Sequence, residues 1–161
     1  LVTPGLRLIS VSQRLLQKEV DTASTQSALV DQVNCVHQYG NGNQATLVSL
    51  NHAFEEAQRV SLCLSNRGIT NSLFNTARLF PVLSESIIRH AEITGKLIIF
   101  DDTKSKTKPS YRFQQMCQNT LPNCEIKIME RKREQIWSSP NQDRFEINDD
   151  SLAESIGRCS C

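Results

Sequence analysis

Six cysteines, at positions 35, 63, 117, 124, 159 and 161, constrain this 161-residue chain more than any other feature. An even count in a chain that begins at Leu1, without a methionine, reads as a processed, oxidised, exported protein. Each disulfide restricts the unfolded chain and contributes about 2–4 kcal/mol. Spacing leaves the pairing open. A Cys35–Cys63 bridge would staple two successive predicted helices as an antiparallel pair, and a Cys117–Cys124 bridge would close the loop holding Asn119 and Pro122. Cys159 and Cys161 are too close for an unstrained bond to each other, so they are expected to anchor the C-terminal tail at two places. Structural zinc favours closely spaced cysteine pairs or a matching histidine pair, whereas His37, His52 and His90 are scattered. No metal or other cofactor is expected.

Hydrophobic periodicity divides the chain into a helical part, about 1–93, and a strand-containing part, about 94–161, within a single domain spanning 1–161. Leu8, Ile9, Leu15, Leu16 and Val20 form one helical stripe, and Leu29, Val33 and Val36 continue a second. The polar stretch from Gln38 to Gln44 reads as a loop. Thr46 caps a third predicted helix carrying Leu47, Leu50, Phe54, Ala57 and Leu64, which Gly68 ends. Thr70 begins a fourth, with Leu73, Phe74, Ala77, Phe80, Ile87, Ile88 and Ala91 on its apolar side and, because of Pro81, a kink or break near Leu79.

After Gly95 the pattern changes. Lys96 to Phe100 is a short apolar run rich in β-branched residues and reads as a buried strand. Ser110 to Cys117 reads as a short helix, Glu125 to Glu130 as a second strand, Arg144 to Ile147 as a third, and Leu152, Ala153 and Ile156 as a last short helix. Helices followed by strands predict an α+β fold: N-terminal helices packed on a small, mostly antiparallel sheet, stabilised by disulfides.

The formal net charge of +1 hides an asymmetry. Residues 1–93 balance, residues 94–133 carry a basic surplus, and residues 134–161 an acidic one. Lys104, Lys106, Lys108, Arg131, Lys132 and Arg133 form a candidate binding patch for a protein or another acidic macromolecule. Sparse aromatic interleaving gives nucleic acid weak support. Lys132-Arg133 also resembles a dibasic processing site. No apolar run reaches the ~20 residues of a membrane span, and no Asn-x-Ser/Thr sequon occurs.

Two near-motifs carry carboxylates. Ile98 to Thr103 resembles the opening of the haloacid dehalogenase phosphatase pattern, but Thr103 stands where that pattern needs a second aspartate. Asp101-x-Thr103-x-Ser105 is similar to a metal-ion-dependent adhesion site, with too little chain after it for the rest of that fold. Glu125-Ile126-Lys127 resembles the Glu-x-Lys of restriction-type nucleases, in which two carboxylates hold a metal and the lysine orients water; Asp101 or Asp102 would supply the other carboxylate. His37 and His52, flanking the polar loop, are a candidate acid–base pair. No Gly-x-Ser-x-Gly or Cys-x-x-Cys motif is present.

The sequence therefore reads as a secreted, disulfide-stabilised, non-enzymatic protein that binds another macromolecule, as a host-interaction effector or toxin subunit. The alternative is a secreted hydrolase, in its most concrete form a metal-dependent nuclease using Asp101, Asp102, Glu125 and Lys127. A carrier of apolar ligands in the helical half is a third class.

Overall fold

The computed structural model describes residues 26–50, 52–76, 84–103, 106–130, 147, 152–154 and 156. In chain order they form β1 (Ser27–Asp31), β2 (Val36–Tyr39), β3 (Ala45–Leu50), α1 (Phe54–Asn66), β4 (Asn71–Thr76), α2 (Glu85–Thr94), β5 (Lys96–Asp101), α3 (Pro109–Thr120) and β6 (Glu125–Glu130). Residues Leu152–Glu154 and Ile156 are also helical. The six strands make one sheet in the order β1-β2-β4-β3-β5-β6.

The centre of the sheet is built from strands buried on both faces. All six residues of β3 are buried, as are five of the six in β5. Their side chains alternate between two cores. Ala45, Leu47, Leu73, Ile98 and Phe100 meet Ala57, Val60 and Leu64 of α1, together with Ile147, Leu152, Ala153 and Ile156. Val48, Leu50, Phe74, Leu97 and Ile99 meet Ile87 and Ala91 of α2 and Phe113 and Cys117 of α3. A strand covered on both sides needs no polar face, so apolar residues fill adjacent positions, Leu47-Val48 in β3 and Leu97 to Phe100 in β5, and the Thr46 and Ser49 of β3 are buried with them.

Helix ends follow local chemistry. Gly95 terminates α2 in the left-handed region (φ 63°), where a side chain would meet its own carbonyl. Pro109 opens α3 at the position where its missing N–H costs nothing. Asn71 ties α1 to β4: its carbonyl oxygen accepts from the Ser61 hydroxyl at 2.6 Å, and its amide donates to the Ser61 carbonyl at 3.1 Å and the Ser65 hydroxyl at 3.2 Å. Arg59 reaches the carbonyl of Ile147 at 3.2 Å, and the Lys96 ammonium donates to that of Ile156.

The expected mixture of helices with one sheet holds; its arrangement differs. The helices are interleaved with the strands and lie on both faces rather than preceding the sheet. Residues 29–36, expected in a helix, form the β1–β2 hairpin, and residues 45–50 and 71–76 are strands. The sheet is not mostly antiparallel. β3 runs parallel to both β4 and β5, and β5 parallel to β6, whereas only the β1–β2 and β2–β4 pairs are antiparallel. The helix expected over Leu8 to Val20, the break expected near Leu79 and most of the strand expected over Arg144 to Ile147 lie outside the described residues. Ile147 itself is buried and belongs to no strand.

The disulfide framework is also corrected. Cys35, Cys63, Cys117 and Cys124 are free thiols; Cys159 and Cys161 lie outside the described residues. Cys35 sits in the β1–β2 turn with positive φ (53°), and its thiol points to the carbonyl of Gln32 at 3.7 Å. Cys63 rides on α1, so the two elements that were to be stapled are a hairpin turn and a helix. Cys117 and Cys124 pack as small apolar groups on the α2–α3 side of the sheet. Burial, and then the neighbouring Cys124, push the Cys117 thiol up to about 12; burial, and then Glu125, push Cys124 up to about 11. Both are protonated at neutral pH, and therefore poor nucleophiles.

Candidate functional site

In a sheet with parallel strands and helices on both faces, loops at the carboxyl ends of the strands converge where the order of the chain reverses. Here that point lies between β3 and β5, because β4 is added on one side of β3 while β5 and β6 are added on the other. His52 follows the end of β3, and Asp101 ends β5, with Asp102 and Thr103 directly after it. Glu130 ends β6 directly opposite Asp101.

Asp101 is fully buried. Its carboxylate accepts the Thr103 N–H at 2.9 Å and the Ser110 N–H at 3.1 Å, fastening the end of β5 to the first turn of α3. Burial alone would raise its pKa; the hydrogen-bonding groups of Thr103 and Ser110 outweigh that and hold the carboxyl below its ordinary value. The Ser110 hydroxyl is buried without a formed hydrogen bond, yet its dipole lies near enough to favour the ionised carboxylate. Beside this cap, the Lys108 ammonium and the Tyr111 hydroxyl both donate to Glu130 Oε2 at 2.8 Å. Lys108 is buried and Glu130 partly exposed.

This geometry separates the residues of the nuclease reading. Parallel register pairs Lys96 with Glu125 and Asp101 with Glu130. Five residues at roughly 3.3 Å each put Glu125 about 16 Å from Asp101 along the strands, at the other end of the sheet. Lys127 pairs with Ile98, midway. Asp101 and Asp102 are therefore not brought together with Glu125 and Lys127 as one metal-binding set. Among the described residues, no group of three or more His, Cys, Asp or Glu side chains is placed to hold a metal ion. The residues that do join Asp101 at this edge are Lys108, Ser110, Tyr111 and Glu130. Sequence reasoning missed all four as partners, placing Lys108 only in the basic patch, although Glu130 ends its strand just as Asp101 does.

Two residues of the basic patch are described. Lys106 is exposed, but Lys108 is buried in its ion pair. Lys104, Arg131, Lys132 and Arg133 lie outside the described residues. His37 and His52 do not form a pair. His37 lies level with Asn75 and Ser49 on neighbouring strands, so β4 stands between the two histidines, a lateral gap of about 10 Å.

His90 occupies the opposite end of the sheet. Its Nδ1 meets the Thr46 hydroxyl at 2.7 Å and its Nε2 meets the Gly42 carbonyl at 3.0 Å. A carbonyl only accepts, so Nε2 carries the proton and Nδ1 accepts from Thr46. Phe74 presents a T-shaped ring contact at 5.2 Å. Burial lowers the His90 pKa below 6.5, partly opposed by the Gly42 carbonyl. Neutral His90 thus stabilises the fold above about pH 6.5, and this contribution is lost as pH falls through that value toward the lowered folded one. Urea midpoints measured from pH 7.5 down to pH 5 are expected to fall for the wild-type protein and to fall less for His90→Asn. An NMR titration placing the His90 midpoint at or above 6.5 would contradict the assignment.

Among the described residues, exposed apolar side chains cluster on the β1–β2 hairpin. Leu29, Val30 and Val33 are 50%, 36% and 73% exposed, within five residues of one another. Asp31 braces the turn: its two carboxylate oxygens accept from the Asn34 backbone at 3.0 Å and side chain at 2.8 Å. Those bonds, led by the Asn34 side chain, hold the Asp31 carboxyl below its ordinary value. Among the described strands β1 is one edge of the sheet and β6 the other. The β6 edge carries Glu125, Lys127 and Glu130; charges on an edge strand resist unwanted pairing. β1 carries Ser27, Ala28, Leu29 and Val30, with its single acid engaged in the turn. Among the described residues, no helix is long and apolar enough to cross a membrane.

No protein-family model and no curated protein matches the chain. Its fold is similar to that of solved structures, among them a chain described as a split-gene transketolase in an inactive β4 tetramer. That likeness has a TM-score of 0.55 and 13% sequence identity, covering 74% of this chain and 39% of the other. This chain thus spans about two fifths of that structure's length, and at this identity the likeness concerns the fold.

Proposed function

We propose that this domain binds another polypeptide and that the β1–β2 hairpin is the contact surface. The observation that carries the reading is the cluster of Leu29, Val30 and Val33, exposed together on a braced hairpin. Single exposed apolar residues such as Leu62 and Ile93 are ordinary on any protein surface; a cluster is what marks an interaction site. A register shift between Leu29 and Asp31 puts a bulge in β1. Bulges twist an edge away from ladder pairing, so the surface suits side-chain docking better than strand addition. Export and an effector or toxin role drew on disulfides; with the four described thiols free, the proposal rests on the hairpin alone.

The test compares wild-type protein with the Leu29→Lys/Val33→Lys variant as bait in extracts of the native cells. It continues with titration of the captured polypeptide, purified, against both. Desolvated apolar anchors at interfaces are worth more than about 1 kcal/mol each, so Kd is expected to weaken at least ~10-fold with an unchanged unfolding midpoint. Equal affinities, or no captured polypeptide, overturn the proposal. A lowered unfolding midpoint also overturns it, because it shows that the chain's own residues cover the hairpin.

A further inference from the structure

We draw no further inference here: the strongest candidate, the fully buried, unpartnered Ser110 hydroxyl at the N-terminus of α3, carries nothing because the Asp101 carboxylate already accepts the Ser110 N–H and fills the place that a bound anion would take.

Discussion

Gly42→Ala is expected to cost about 3 kcal/mol or more of folding stability, at the upper end of what overpacking produces. A Cβ added at Gly42 would lie 2.1 Å from the backbone nitrogen of Asn71 and 2.4 Å from the carbonyl carbon of Thr70. Both are main-chain atoms at the start of β4, so no rotamer change relieves the overlap. The same loop is held on every side. The Gly42 N–H donates to the Asn71 carbonyl at 3.2 Å, and the Gly42 carbonyl accepts from the Ser72 hydroxyl and His90, both at 3.0 Å. Moving it to admit a methyl group breaks those bonds as well. Gly68→Ala is the control. Its Cβ would meet nothing within 4 Å, but φ is +78°, so only the left-handed penalty of about 1–2 kcal/mol applies. Urea unfolding of both variants distinguishes the two costs. A Gly42→Ala midpoint equal to that of wild type would show that the β2–β3 loop does not pass against β4 as described.

Asp101→Ala is expected to lose about 3 kcal/mol, because it strands two N–H groups that now donate to a carboxylate. Hydrogen bonds to a charged group contribute about 1.5–3 kcal/mol each, and a donor left buried adds its own desolvation cost. The Ser110 N–H is deeply buried, so water replaces the lost acceptor poorly. Asp101→Asn keeps one carbonyl oxygen and should recover part of the loss. The pH dependence identifies the group. The folded-state pKa of Asp101 is depressed, so its contribution is complete above the ordinary value of 3.8 and is lost as pH falls through the folded value. Unfolding midpoints measured between pH 6 and pH 2.5 should therefore fall less steeply for Asp101→Ala than for wild type. Parallel curves would mean that Asp101 is not the ionised cap of α3.

Lys96 to Phe100 was legible as a strand because Gly95 and the Asp101-Asp102 pair bracket a short β-branched run. Gly68 correctly marked a helix end, and the α1 face of Ala57 and Leu64 followed from spacing alone. Asn71 to Thr76 was read as helix because Leu73 and Phe74 fit a three-and-four spacing. A strand buried on both faces has no alternation to oppose that reading. Leu29 and Val33 misled in the same way: four residues apart, they suit one helical face, and they lie instead on a hairpin strand and its turn.

Strand direction was the deeper difficulty. Asp101 was visible as a carboxylate ending a strand, but its neighbour depended on register. In an antiparallel pair the start of the next strand would have met it; in the parallel pair the end does, so Glu130 replaces Glu125. Nothing local to either strand encodes that choice. The cysteines failed for a related reason, since their order along the chain carries no information on the separation of their sulfurs.

The position of β3 has a consequence during synthesis. Its two neighbours, β4 and β5, are both made after it, and β5 begins nearly fifty residues later. At about 5–20 residues per second, the nascent chain carries this segment, whose Ala45, Leu47, Val48 and Leu50 are all destined for burial, with one flank open for several seconds. Productive maturation in the cell thus calls for a holding factor at the ribosome exit, or for translation that does not pause before Asp101 has emerged.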